Sequence, residues 1–393
     1  MNWIDKLNNK KILIWGYGRE GKSTEKFLIN HLKNCNYKIY EGSYNSDEFA
    51  AYDYIFKSPG IKFFKDDARI ISQTEIFYAT FHNQIIGITG SKGKSSTSTM
   101  MYNVIKKFTP NVILVGNIGF PCLDYYDDVD ENTKIVFETS CHQLQRLSIS
   151  CHIAVLLNLY EEHLDYYTTF ENYANVKKNI IRKQTANDFY LLNDKIVLDF
   201  NPQGRKVDID TTANIKLSIN GNIQQFNAAI VYTIATRLLN YDSETVLLAL
   251  EEFQGLKHRL EFIGKVDQVK YYDDAISTIV ESCIEAIESI KDINTVIIGG
   301  MDRKINYSKL INYLNQSLDL NVICTYASGK RIYNSLTIEK KYYVEDLQKA
   351  VNLAKKVTKK HRACVLSPAA ASYDSFKNFE EKGDCFKKWV LEI

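Results

Sequence analysis

Short apolar runs alternate with amphipathic stretches along almost the whole chain. The first, Lys11-Ile-Leu-Ile-Trp15, predicts a strand that runs into Gly16-Tyr-Gly-Arg-Glu-Gly21 and then a helical pattern through Leu28. Residues 37–40, ending at Glu41, and 54–56, meeting Ser58-Pro59-Gly60, predict two more strands, and the segment to about His82 alternates in the same way. A new strand over 84–88 opens on Thr89-Gly-Ser-Lys-Gly-Lys-Ser-Ser96 and a helix through about Phe108. Further strands are expected at 111–115, 134–137 and 152–158, and helical stretches separate them, which fits a parallel sheet with crossover helices from 83 to about 250. A third set of strands, 270–272, 295–298, 321–325 and 363–366, alternates with helical windows over 281–289 and 344–357. The expectation is an α/β protein of three domains, 1–82, 83–255 and 256–393, with no fixed-period repeat.

Composition narrows the class. At 393 residues, with 24% charged, 45% hydrophobic and a net charge of +2, the chain has an enzyme's core and no polyanion-binding charge, so no nucleic-acid partner is expected. Only 18 Gly and 5 Pro exclude collagen-like and low-complexity readings. The 8 cysteines are scattered without C-x-x-C or zinc spacing and read as reduced thiols. The polar start WIDKLNNKK and the lack of any apolar run of about 18 residues predict a cytoplasmic protein without a membrane partner.

Two glycine loops compete for phosphate. Residues 16–23, GYGREGKS, satisfy both G-x-G-x-x-G, with Glu41 placed to meet a ribose hydroxyl, and a literal G-x-x-x-x-G-K-S with Lys22 on a phosphate. A plain strand-to-helix turn is the third reading. Residues 89–96, TGSKGKSS, miss the strict pattern because Ile88 takes the place of its first glycine. They nevertheless hold what phosphate chemistry needs: Gly90 and Gly93 for inward N–H donors, Lys94 for a γ-phosphate and Ser95 for Mg²⁺.

Acidic and imidazole groups follow. Glu138 trails one predicted strand, and His163 and Asp165, within Glu161-Glu-His-Leu-Asp165, trail another, where metal ligands beside a phosphate loop are expected. His31, His82, His152 and His361 have no such neighbours in sequence and read as structural. Lys177 reads by itself as a solvated surface lysine.

These residues resemble the Mur ligases, ATP-dependent amide-forming enzymes of peptidoglycan precursor assembly. Gly87-Ile-Thr-Gly-Ser-Lys-Gly-Lys-Ser95 is similar to the family's phosphate loop, with Ser91-Lys92 in place of the usual Thr-Asn. Gly116-Asn-Ile-Gly119, Glu138-Thr-Ser-Cys-His-Gln143, Asn158-Leu-Tyr-Glu-Glu-His-Leu-Asp165, Tyr173-Ala-Asn-Val-Lys177 and Gly255-Leu-Lys-His-Arg-Leu-Glu261 follow in register. Ser367-Pro-Ala-Ala-Ala-Ser-Tyr-Asp-Ser-Phe376, with Asn378-Phe379 and Lys382-Gly383, resembles the end of the glutamate-adding branch.

The resemblance implies an N-terminal domain for a UDP-sugar, a central P-loop ATPase-like domain, and a C-terminal Rossmann-like domain for the incoming amino acid. Gly16, Tyr17, Gly18, Arg19, Glu20 and Gly21 would hold the sugar nucleotide, with Glu41 and Ser58 near the uridine and Asn117, Ser140 and His163 toward the muramoyl-alanine. ATP would belong to Gly90, Ser91, Lys92, Gly93, Lys94, Ser95 and Ser96, with Asn227, Arg259 on phosphate and Asp274 on ribose. The implied catalytic set is Lys94, Glu138, His163 and Lys177, with Mg²⁺ held by Ser95, Glu138, His163 and a carbamylated Lys177. Thr278, Arg303, Ser372 and the Phe379 backbone would receive glutamate.

The implied reaction joins glutamate, D-glutamate by preference, to UDP-N-acetylmuramoyl-L-alanine through an acyl phosphate, in a monomer. Departures bear on the acceptor: Ile276 replaces a lysine that would face a glutamate carboxylate, as in relatives that add L-glutamate, and Ile223-Gln224 and Tyr166 also depart from the pattern. An NAD-dependent oxidoreductase, read from Gly16–Gly21 plus Glu41, leaves Lys94, Glu138 and His163 without work. A non-catalytic sugar-nucleotide-binding protein has no need of a metal-held γ-phosphate.

Overall fold

A computed structural model describes residues 3–63, 65–217 and 222–392. It divides into two compact units, one running to Phe253 and the other from Gln254. The first unit holds two sheets. One is built from β1 (Lys11–Trp15), β2 (Asn36–Tyr40), β3 (Tyr54–Lys57) and β4 (Ile70–Ile71), all parallel in the order β2-β1-β3-β4. The other comprises β5 (Ile85–Thr89), β6 (Val112–Gly116), β7 (Lys134–Glu138), β8 (Ile153–Leu156), β9 (Phe189–Leu192) and β10 (Arg205–Lys206), parallel in the order β10-β9-β8-β5-β7-β6.

Every residue of β5 is buried, as expected of a central strand with helices on both faces. One apolar core runs through both sheets of this unit, with Phe27 against Tyr126 and Tyr78 edge-on to Phe137. The segment before His82, expected to continue the alternation of a small α/β unit, ends in the helix Gln73–Phe81. The Ser72 side chain accepts from the Glu75 N–H at its start, and Ile76, Phe77 and Tyr78 are buried.

The second unit carries β11 (Glu261–Val266), β12 (Val269–Asp273), β13 (Ile293–Ile298), β14 (Asn321–Thr325), β15 (Lys341–Val344) and β16 (Ala363–Leu366), in the order β11-β12-β16-β13-β14-β15. All pairings are parallel except β11 with β12, whose register shifts between Phe262 and Gly264. The window expected to be helical over 344–357 begins as the end of β15. Its helix is Leu347–Val357, set by Asp346, whose side chain accepts from the Lys349 N–H. Among the described residues no helix is long and apolar enough to cross a membrane.

Candidate active site

The two glycine loops differ in where their helix begins. After β1, Gly16 sits at φ +92°, its carbonyl accepts from Ser58 Oγ at 2.9 Å, and a Cβ on Gly21 would collide with the Gly16 carbonyl. The helix Arg19–His31 starts three residues before Lys22, leaving that lysine exposed on its first turn and 5.8 Å from the Tyr17 ring centroid. This is a tight turn with close helix packing, the form of a diphosphate cradle rather than of a lysine-centred loop. After β5, Gly90 and Gly93 both have positive φ, and the helix Lys94–Phe108 begins at the lysine itself. That onset aims the helix's N-terminal dipole at whatever the lysine meets.

Charged groups converge on the second loop. Lys94 Nζ donates to the carbonyls of Gly90 at 2.9 Å and Ser91 at 2.8 Å. Asn158, just after β8, clamps the loop: its side chain accepts from the Lys92 N–H at 2.8 Å and donates to the Lys92 carbonyl at 2.9 Å. Ser91 Oγ lies 2.9 Å from the Tyr173 hydroxyl, and Ser96 is buried on the new helix beside half-buried Ser95. Sequence reasoning placed Asn158 and Tyr173 only inside motifs; their position two residues past a strand end and one turn before Lys177 was the available signal.

Lys177 corrects the surface reading. It is 1% exposed on the helix Phe170–Arg182, and its Nζ donates to the Gly90 carbonyl at 2.8 Å. Burial, and then the neighbouring Lys94 charge, pull its pKa down to about 7.

Glu138 ends β7 fully buried, with Oε1 accepting from Asn117 Nδ2 at 2.8 Å and Oε2 without a partner among the described residues. Asn227 is likewise buried, with both amide atoms lacking a partner among the described residues, and a Cβ on Gly93 would lie 2.6 Å from its Nδ2. Orphaned oxygen and amide groups around a glycine loop call for a polar ligand. The Glu138 carboxylate and the Ser95 hydroxyl are oxygen donors of the kind a hard divalent cation such as Mg²⁺ takes. His163, exposed and left-handed at φ +55°, packs its ring 5.1 Å from that of His142. The side chain of Asp165 lies outside the described residues.

A separate cleft in this unit is lined by Arg19, Glu20, Pro59, Asn117, Ser140 and Gln143. It brings Arg19 and Glu20 of the first glycine loop together with Asn117 and Ser140. Burial pushes the Glu20 carboxyl up to about 7 against the opposing hydrogen bond from Gln143. Ser58 holds the loop through Gly16, while Glu41 is exposed after β2.

In the second unit, Thr278, Arg303 and Ser372 follow β12, β13 and β16, three adjacent strands, at their carboxyl ends. Ser372 Oγ and Arg259 Nε are buried without partners among the described residues, Arg303 is exposed over the Tyr373 ring, and Phe379 starts the last helix. Asp274 is buried, accepting from Ser367 Oγ at 2.8 Å, Ser277 Oγ and the Leu260 N–H, and burial raises its pKa to about 7. Sequence reasoning gave Lys382 no role of its own. It is fully buried, its Nζ donates to the Gly299 carbonyl at 2.8 Å, and burial lowers its pKa to about 7.

Residues 88–266 match the model of the Mur ligase middle domain. The UDP-N-acetylmuramoylalanine–D-glutamate ligase of Geobacillus kaustophilus is 30% identical, over 87% of this chain and 84% of its own length. The protein of the same name from Aquifex aeolicus is 29% identical over 97% and 98%. Among solved structures, the fold is similar to the MurF ligase of Thermotoga maritima in complex with ADP, with a TM-score of 0.61, 16% identity and coverage of 98% and 96%. It is also similar to the UDP-N-acetylmuramate–alanine ligase MurC of Thermotoga maritima, with a TM-score of 0.56, 19% identity and coverage of 97% and 99%.

Proposed function

The chain belongs to the Mur ligase family, and from that premise we propose that it is the ATP-dependent ligase that joins D-glutamate to UDP-N-acetylmuramoyl-L-alanine. The observation that carries the phosphoryl chemistry is the loop at Gly90–Ser96, with Lys94 on it and the orphaned Glu138 and Asn227 beside it. The substrate carboxylate oxygen attacks the γ-phosphorus of ATP and ADP leaves, giving an acyl phosphate. The glutamate amine then attacks the acyl carbon, loses a proton and expels phosphate.

Lys94 and the N–H groups opening its helix neutralise charge on the transferring phosphoryl, a job of positioning and electrostatics. Ser95, Glu138, His163 and Lys177 are the residues that would hold Mg²⁺, which when bound supplies positive charge to the phosphate oxygens. Asn117, hydrogen-bonded to Glu138, and Ser140 orient the muramoyl-alanine from the cleft they share with Arg19 and Glu20.

Lys177 acts as its carbamate: the neutral amine adds to the carbon of CO₂ and gives up a proton to water. Burial and the neighbouring Lys94 charge both disfavour an ammonium here, and the Lys94 charge favours the anion that replaces it. Residues 1–82, 83–255 and 256–393 serve the sugar nucleotide, ATP and the amino acid respectively. Asn227 and Arg259 meet ATP, as does Asp274 on its ribose. Thr278, Arg303, Ser372 and the Phe379 backbone take glutamate, and the enzyme works as a cytoplasmic monomer.

Ile276, half-buried where a lysine is usual, favours a second reading in which L-glutamate is the acceptor. Phosphate release by purified enzyme with Mg²⁺, ATP and UDP-N-acetylmuramoyl-L-alanine, run in parallel with D- and L-glutamate, separates the two. Release with D-glutamate alone is expected. Release with L-glutamate alone moves the protein to the second reading, and silence with both removes the glutamate assignment.

A further inference from the structure

His82, His152 and Asp188 are far apart in sequence, and the two histidines read there as structural. The fold brings the three together. His82 precedes β5, His152 precedes β8 and Asp188 precedes β9, three adjacent parallel strands, so the cluster lies at the amino end of the sheet, opposite the phosphate loop at the carboxyl end of β5. His82 Nε2 is 2.9 Å and His152 Nδ1 3.0 Å from the same carboxylate oxygen, Asp188 Oδ1, and the three ligand atoms lie within 4.8 Å of one another.

Two of the three ligands are already oriented by a second partner. His82 Nδ1 is 2.6 Å from the Ser150 carbonyl, an acceptor, so it carries a proton and directs Nε2 toward Asp188. Asp188 Oδ2 accepts from the Thr185 N–H at 2.7 Å and from Thr185 Oγ1 at 2.9 Å, which leaves Oδ1 to face the imidazoles. The backbone ties the segments as well: the His152 N–H donates to the His82 carbonyl at 3.2 Å and the Phe189 N–H to the His152 carbonyl at 2.8 Å.

His82 therefore has an acceptor at each ring nitrogen. Nε2 of His82, Nδ1 of His152 and Oδ1 of Asp188 converge on one place, where a cation would replace the two imidazole–carboxylate contacts. Two imidazoles and a carboxylate, with His82 and Asp188 oriented from behind and the histidine side chains 17% and 29% exposed, form a three-ligand set open to solvent. The other His-and-acid cluster, His258, Glu261 and Asp273, lacks this openness, because Glu261 is already paired with Lys387 and the His258 side chain is 5% exposed.

We propose that His82, His152 and Asp188 bind a first-row divalent cation, zinc above all, at the end of the sheet opposite the phosphate loop. The cation pins the amino ends of β5, β8 and β9 together. Mg²⁺ is not its occupant, since imidazole pairs favour zinc-class metals over hard cations.

The full chain, stripped of metal by a chelator, is titrated with Co²⁺ and then Zn²⁺. The expected result is one equivalent of Co²⁺ with the visible absorption of a nitrogen-ligated four- or five-coordinate site, its displacement by Zn²⁺, and a melting temperature raised by Zn²⁺ but not by Mg²⁺. His152→Ala and, independently, His82→Gln are expected to lose the absorption and bind more than about tenfold more weakly, whereas Lys94→Ala keeps both. Absence of the cobalt spectrum overturns the proposal. So does a spectrum that persists unchanged in both histidine variants, as it would if cysteines held the metal.

Discussion

Lys177 joins buried electrostatics to catalysis in a way that can be measured. Its amine is held at the Gly90 carbonyl, and burial, followed by the Lys94 charge, lowers its pKa from the ordinary 10.5 to about 7. At about pH 7.5 roughly three quarters of such an amine is neutral, against roughly 0.1% of a solvated lysine, a several-hundred-fold gain in the form that attacks CO₂. The same displacement corresponds to roughly 5 kcal/mol against the charged amine. Because the folded-state value lies below the unfolded one, the unfolded chain takes up this proton first. The penalty on stability therefore grows as pH falls from 10.5 to about 7 and is constant below.

Conversion to a carbamate removes that penalty and places an anion beside Lys94. The assay is ¹³C NMR of enzyme in ¹³C-bicarbonate, together with phosphate release in CO₂-depleted buffer. A carbamate resonance absent from Lys177→Ala, and turnover that falls on depletion and returns with bicarbonate, are expected. The alanine variant should be inactive and partly rescued by short-chain carboxylic acids. Full turnover without CO₂ and no resonance, or ordinary activity in Lys177→Ala, would refute the reasoning.

Other outcomes follow from the same geometry. Lys94→Ala should reduce phosphate release by about 100-fold or more, while Lys22→Ala, altering an exposed side chain on the first helix, should chiefly raise the KM for the sugar nucleotide; steady-state kinetics on both variants separates the two loops. Gly93→Ala forces a side chain into φ +83° with its Cβ 2.6 Å from Asn227 Nδ2. It should cost about 1–2 kcal/mol from backbone conformation alone, read by urea denaturation, and raise the KM for ATP. Glu20 is neutral below about pH 7 and ionised above it, beside the cleft proposed for a diphosphate. Sugar-nucleotide affinity measured by calorimetry should therefore weaken as pH rises from 6 to 8, and Glu20→Gln should flatten that dependence.

Much of the scaffold was legible because the strands of parallel sheets are continuous apolar runs with abrupt polar ends. Lys11–Trp15 and Asn321–Thr325 are strands at the bounds their patterns predict. Edge strands escaped for the opposite reason. β15, Lys-Tyr-Tyr-Val, is half-buried at every position, and β11 is interrupted at Gly264, where its register shifts, so neither carries a clean period. Candidate site residues that end strands, such as Glu138, could be placed by position alone. Lys177 could not, because nothing in a helical window distinguishes a lysine turned under a glycine loop from one turned to water. The pairing of His82 with His152 was also invisible, since it depends on β5 and β8 being neighbours, which is a property of the sheet order and not of any local pattern.

The two glycine loops show where sequence matching stops and backbone geometry decides. GYGREGKS matches the literal lysine-loop pattern and TGSKGKSS does not, yet where each helix starts favours TGSKGKSS for the proposed phosphoryl chemistry. When the helix begins at Arg19, Lys22 is already a turn along it and exposed, and the N–H groups at the helix start are separated from the ammonium. When it begins at Lys94, behind a glycine at φ +83°, the ammonium, the loop carbonyls it holds and the helix N-terminus occupy one place. Phosphoryl transfer needs that coincidence, because charge developing on a single group of oxygens must be met from several sides at once. Binding a diphosphate needs only the tight turn and the close approach of helix to strand, which Gly16 and Gly21 supply. The chain thus uses the same strand-to-helix grammar twice, and a shift of three residues in helix onset separates a loop suited to holding a nucleotide from one suited to reacting it.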